Sequence, residues 1–341
     1  LRQLGFDPEI IRKVAIAMYE GEINMVIHAG GGEIDVEITE SEIIMTKKIF
    51  KYIGFSSLGF FCALLFIVIS YVIYVLGTYS RIPDNKVLTI EGTGSNGSLV
   101  INQDYTIVTQ NLGFGAYTQD YTFFMDGGKE SRARSKESMY ECINKGVDKV
   151  QELEPDFILF QEIDIDATRT FHINQYDMIK NKFPNSSIVH AINYDSAYLM
   201  YPFTEPIGAS KSSIVTISDY KITSSIRRSL PVSSSITKIL DLDRCFSVSR
   251  INVANGKELV LINVHTSAYG GSDEVRNAQI KMISEVMKIE YEKGNYVICG
   301  GDFNHDFTGD SSQKLNGEGA SFGWAQPFPD ELLPDGFSKC L

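Results

Sequence analysis

Tyr296–Asp306 reads YVICGGDFNHD. Four apolar residues suit a short buried strand, the Gly300–Gly301 pair interrupts it, and Asp302 and Asn304 follow. Three earlier stretches repeat this arrangement. TIVTQNLGFG places Asn111 after the strand-like Tyr105–Gln110, DFILFQE places Glu162 after Phe157–Phe160, and LINVHTS places His265 after Leu259–Val264. Between them lie helical patterns at Ser135–Glu152, with Met139, Ile143, Val147 and Val150 on one side, and at Asp273–Tyr291. Strands mixed with helices in this way imply layered sheets covered by helices. Polar residues just past successive strand ends are how a rigid sheet presents a constellation to one cleft.

The residue types suit phosphate chemistry. Glu162 is a hard oxygen ligand for Mg²⁺, which takes one or two protein carboxylates plus water and substrate phosphate. Asn304 donates to a phosphoryl oxygen without adding charge, Asp302 orients or deprotonates water, and His265 donates a proton or a hydrogen bond near neutral pH. No serine elbow or Cys-His signature competes with this set.

The order and local sequence of these motifs over residues 104–341 resemble the endonuclease/exonuclease/phosphatase superfamily, which includes deoxyribonuclease I, abasic-site endonucleases, neutral sphingomyelinases and inositol polyphosphate 5-phosphatases. GGDFN carries the resemblance most specifically, FQE next, and TQNL follows in order. The resemblance implies an α/β fold, a two-sheet α/β sandwich of deoxyribonuclease I type with the site along one edge. It implies Glu162 as principal ligand of Mg²⁺ (or Mn²⁺), with Asn111 beside metal and glutamate. It puts His265 at the phosphate and makes Asp302 and Asn304 the pair that positions water and substrate oxygens. Arg228 (SIRRSLP) and Arg276 (EVRNAQ) fall where family members often place supporting, substrate-binding residues.

The family pattern continues into an Asp-bearing strand and a Ser-Asp-His end. This sequence has no histidine after His305, and its tail, LLPDGFSKCL, has no such strands. The expectation is a C-terminally truncated domain with weak or absent activity. The alternative it raises is a catalytically impaired or non-catalytic surface domain.

Upstream, Tyr52–Ser80 contains no charged residue, and Leu58–Gly77 is long enough to cross a bilayer as one helix. It shows no polar stripe, and its exit, TYSRIP, lacks a small-residue cleavage site, so a retained anchor at 52–80 is expected. Lys47, Lys48 and Lys51 precede it, which predicts a single-pass cell-membrane protein with a cytoplasmic N-terminus and the large domain outside. Residues 81–103, containing the Gly/Ser-rich IEGTGSNGS, read as a linker.

Residues 1–44 are acidic, with three basic and nine acidic side chains. VAIAMYEGEINMVIHAGGGEIDVEI is similar to the start of the ATP-binding fold of anti-sigma-factor serine/threonine kinases. Glu20, Asn24 and His28 match that family's spacing; by the resemblance Asn24 holds the nucleotide's magnesium and Glu20 activates the acceptor. The family's later Asp-x-Gly-x-Gly loop and lid do not follow, so a fused fragment ending near Met45 is expected. Ile34–Ile44 alternates like a strand.

Net charge is −12, against the basic surface that non-specific nucleic-acid binding requires. The expected partners are the membrane and a phosphate ester, whether nucleic acid, phospholipid or small molecule; no protein partner is inferred. Phe114–Glu137, rich in aromatics and ending in Lys129, Arg132, Arg134 and Lys136, reads equally as a substrate-gripping loop or a solvated one. The five cysteines form no CxxC pair and read as free thiols.

Overall fold

A computed structural model describes residues 40–235, 243–269, 271–309 and 325–340, with Glu9, Lys238 and Ser311 as single residues. Glu20, Asn24 and His28 lie outside the described residues. Helix α1 spans Glu40–Thr78. Residues 40–44, expected to end a strand, are therefore helical. An alternation of a few residues is a weak signal against helix propagating backward from a long apolar segment. Within α1, Gly59–Thr78 is long and apolar enough to cross a membrane.

Five strands form the first sheet: β1 (Lys86–Val87), β7 (Ile222–Ser229), β8 (Cys245–Asn252), β9 (Glu258–His265) and β10 (Tyr296–Asp302), in that order. The second runs β2 (Ile90–Glu91), β5 (Ser187–Asp195), β6 (Ser210–Ser218), β4 (Phe157–Ala167) and β3 (Ile107–Asn111). Both follow one pairing pattern, antiparallel until a final parallel pair, β9–β10 or β4–β3. Each parallel pair sends two strand C-termini to the same edge.

The two sheets pack face to face through Phe157, Val189, Ile222, Ile251, Leu259 and Leu261. Helices α2 (Lys136–Gln151) and α3 (Gln175–Lys182) cover the second sheet, where Met139, Ile143 and Val147 meet Ile158, Phe160 and Val215. Ser135 caps α2 by accepting from the Ser138 amide, and the buried face is Met139, Ile143, Val147 and Val150. Helix α4 (Asp273–Glu292) covers the first sheet through Ile283 and Met287. The result is a two-sheet α/β sandwich with helices on both outer faces.

Sequence reading placed no strand between Phe160 and Leu259, where four long ones stand. Their inward positions carry many hydroxyls, which hides the apolar alternation. Several of these hydroxyls are satisfied inside the sandwich: Ser225 and Ser249 pair at 2.9 Å, and Ser213 Oγ donates to the Ile163 carbonyl at 3.1 Å. Residues 81–103 also differ from the linker expected of them. Their β1 and β2 join one sheet each, and Leu88 and Leu99 are buried. Glycine-rich composition concealed two apolar anchors.

Gly301 shows why the GGD run has its form. Its φ is +131°, and a Cβ there would lie 2.2 Å from the Val264 carbonyl oxygen of β9. Gly301→Ala is expected to lower unfolding free energy by at least about 1–3 kcal/mol from backbone strain alone. An unchanged urea midpoint would contradict this.

Candidate active site

Asn111 ends β3, His265 ends β9 and Asp302 ends β10. Glu162 arrives differently. The sequence suggested a strand ending before it, but β4 is eleven residues long and passes through it. A register shift against β6 falls between Phe160 and Ile163, and Glu162 has φ +57°. This is a β-bulge, a device that redirects a side chain where regular pleating would not. Here Gln161 turns into the sandwich, donating to Asn263 Oδ1 at 2.8 Å, while Glu162 reaches the edge with its side chain 26% exposed.

These groups converge. His265 Nε2 lies 3.8 Å from Glu162 Oε1 and 3.8 Å from Asp302 Oδ2. Asn111 Nδ2 donates to Asp302 Oδ2 at 2.7 Å, joining the second sheet to the first. Asn111 Oδ1 accepts from the Gly113 amide at 2.8 Å. Asp302 Oδ1 accepts from the Asn304 amide at 2.9 Å, so both carboxylate oxygens are anchored. Asn304 has φ +48° and donates from Nδ2 to the Thr266 carbonyl at 2.9 Å. Among the described residues, no group of three or more His, Cys, Asp or Glu forms a ready metal cage.

Asn193, at the inner face of β5, fixes the imidazole. Its Oδ1 accepts from the Cys245 amide at 3.1 Å, which leaves Nδ2 to face His265 Nδ1 at 3.1 Å. Nδ1 therefore accepts, and the neutral ring carries its proton on Nε2, toward the two carboxylates. Burial, reinforced by the positive charges of Arg244 and Arg169, pulls the His265 pKa down to about 3. The ring is neutral near pH 7 and acts as a hydrogen-bond donor. Burial raises the pKa of Glu162, and the neighbouring Asp302 charge adds to this; Arg169, Arg244 and the Asn111 hydrogen bond act against it.

Arg169 and Arg244 are thus the cations that bear on the site. Arg169 makes a two-pronged ion pair with buried Asp164, at 2.9 and 2.8 Å, and lies 3.9 Å over the Phe114 ring. Arg244 immediately precedes β8 and is buried beside the His265 end of the sheet. The arginines chosen from sequence have other partners. Arg228 pairs with Asp84 at 3.0 Å, and Arg276 holds the Gly271 carbonyl at 2.9 Å and Asp273 at 2.5 Å. Neither donates to Asn111, Glu162, His265, Asp302 or Asn304 among the described residues. Arg169, Arg244 and Asn193 stand in no local motif, so sequence gave no signal for them.

In the aromatic loop, Arg134 is engaged by Asp120 and Glu130, and Arg132 by the Pro206 carbonyl. Burial raises the hydroxyl pKa values of Tyr117 and Tyr269; the Glu162 charge adds to it at Tyr117, and at Tyr269 the hydrogen bond to Asp126 adds more than Glu162 does. Of the remaining described histidines, His172 pairs with Asp166 at the surface, His190 packs on Tyr176, and His305 contacts the Phe303 carbonyl.

No family model matches the chain, and no curated protein does. Solved structures are similar to it at low identity. An endonuclease/exonuclease/phosphatase from Beutenbergia cavernae shares 12% identity at a TM-score of 0.36, over 53% of this chain and 43% of that one. An endonuclease/exonuclease/phosphatase family protein from Leptotrichia buccalis shares 15% at 0.40, over 62% and 71%. A mannosyl-6-phosphatase from Bacteroides thetaiotaomicron shares 19% at 0.39, over 61% and 68%. The chain spans less than half the length of the first of these. In fold, the chain is an α/β sandwich of two mixed sheets, the layered arrangement that its strand-end motifs lead one to expect.

Proposed function

We propose that this chain is a membrane-anchored, Mg²⁺-dependent phosphoesterase that hydrolyses a phosphodiester or phosphomonoester at the edge shared by β3, β4, β9 and β10. The observation that carries this reading is the approach of His265 Nε2 to both Glu162 and Asp302, with Asn111 tying Asp302 across the sheets.

The donor set suits a hard divalent cation. Two carboxylates stand close enough for the charge of Asp302 to raise the Glu162 pKa, which calls for positive charge between them. Magnesium is commonly held by one or two carboxylates with water and phosphate completing its shell, so a three-ligand cage is not required. Glu162 would hold the ion, with Asn111 beside it, and Mn²⁺ has the same ligand preference. When bound, the cation offsets phosphate charge and stabilises the leaving oxygen.

The chain's own groups do the rest. Asp302, locked by two hydrogen bonds, orients water and accepts its proton as the water oxygen bonds to phosphorus and the ester P–O bond breaks. His265 donates from Nε2 to a phosphoryl oxygen, and Asn304 donates with the amide hydrogen that Thr266 leaves free. Arg169 and Arg244 add positive potential from below.

The domains follow this assignment: the anchor within 52–80 and the catalytic domain over 104–341, with β1 and β2 of segment 81–103 laid onto its sheets. The lysines before the apolar span orient the large domain outside the cell membrane. With net charge −12, lipid or small phosphate esters fit better than nucleic acid.

The test is turnover of a phosphodiester and a phosphomonoester by the full chain in detergent. Slow release is expected in Mg²⁺, in keeping with the weak activity expected above, with loss in EDTA and recovery on adding the metal back. A folded chain that releases nothing from either class is a non-catalytic surface domain.

A further inference from the structure

Residues 198–208 read YLMYPFTEPIG. Met200 is 50% exposed, Tyr201 61% and Phe203 84%. Contiguous apolar surface of this kind marks an interaction site. This is no loose tail. Leu199 and Gly208 exchange backbone hydrogen bonds at 3.1 Å in both directions, and the Ile207 amide donates to the Tyr201 carbonyl at 3.2 Å. From outside the loop, Ser131 Oγ donates to the Glu205 carbonyl and Arg132 Nε to the Pro206 carbonyl, each at 2.6 Å. The Phe124 ring backs Tyr201 at 5.7 Å, and Phe203 follows at 5.9 Å. A pinned base holds the apolar tip outward.

Its place identifies the occupant. The Tyr198 amide donates to Tyr74 Oη at 3.3 Å. Tyr74 stands four residues before Thr78, where the apolar span ends. That is about one helical turn, roughly 6 Å, so the root of the loop lies at the depth where such a helix leaves a bilayer. The chemistry agrees. The loop carries no lysine or arginine and one acid, Glu205, so attraction to anionic headgroups is not its basis. Tyrosine, phenylalanine and methionine are side chains that settle at the apolar–polar boundary.

We propose that Met200, Tyr201 and Phe203 insert into the surface of the bilayer that holds α1, docking the domain on lipid through apolar contact. This rests on the membrane-anchor reading above.

The test uses the full chain in phosphatidylcholine vesicles containing acyl-brominated phosphatidylcholine. Trp324→Phe removes the native tryptophan, and Phe203→Trp or, as a control on α2, Tyr140→Trp supplies one reporter. Blue-shifted, bromine-quenched emission from the Phe203→Trp chain alone, unchanged in high salt, is expected. Unquenched emission in a chain that survives carbonate washing overturns the docking and leaves the anchor standing, as does equal quenching of both reporters. Release of the chain by carbonate overturns the anchor and the docking with it.

Discussion

Glu162→Gln is expected to lower phosphate-ester turnover by on the order of 10³-fold or more, because in the proposed mechanism Glu162 is the principal charged ligand and catalytic groups act as a unit. The same change is expected to leave the metal-free protein at least as stable as the parent. The reason is the raised pKa: burial and the Asp302 charge disfavour an ionised carboxylate at 162, and the amide is its neutral near-isostere. Glu162 also sits at φ +57° in a bulge that regular pairing of β4 with β6 would not form. A carboxyl whose ionised form burial disfavours, set in left-handed backbone, is kept there at a cost to the fold. Thermal melts in EDTA beside turnover in Mg²⁺ check both halves. A variant with parental turnover, or one with lost turnover and a much lower melting temperature, would remove the argument that Glu162 serves chemistry rather than structure.

Arg169→Leu carries the largest expected effect on stability. Its partner Asp164 has a fully buried side chain, and two hydrogen bonds join the pair. Removing one member leaves an uncompensated buried charge, which costs about 3–5 kcal/mol. For a domain of this size the melting temperature should fall by roughly 10 °C. Loss of the cation over Phe114, itself at φ +42°, would also loosen the turn that follows Asn111. Replacing both members, Asp164→Leu with Arg169→Leu, should recover part of the loss, since the stranded charge is gone. Equal destabilisation by the double variant would show that packing, not charge, dominates there.

The parts of this site that sequence disclosed share one property: they lie next to the strand that positions them. Asp302 ends β10 with Asn304 two residues on, His265 ends β9, and Asn111 ends β3, so an apolar run and its next polar residue were enough. Glu162 was found for the right neighbourhood but the wrong geometry, because a bulge is defined by its partner strand and leaves little trace in its own. Asn193 orients His265 from 72 residues away and Arg169 acts from another turn; nothing local distinguishes either from an ordinary buried polar residue. Arg228 and Arg276 show the converse, a plausible position whose charge is spent on Asp84 and Asp273. In the fold, the apolar strands of the parallel pairs were legible. The hydroxyl-rich β5–β8 were not, because a serine satisfied across a sandwich looks in sequence like a serine in a loop.

In the proposed reading, Glu162 and Asp302 form one hydrolytic site with a divalent cation. Its most direct test is turnover of one phosphodiester by the full chain, Glu162→Gln and Asp302→Asn, each at matched folded fraction and across a Mg²⁺ titration. The account predicts Mg²⁺-dependent release by the parent and its near-complete loss in both variants. Release that both variants retain, or none from a folded parent at saturating metal, would contradict it.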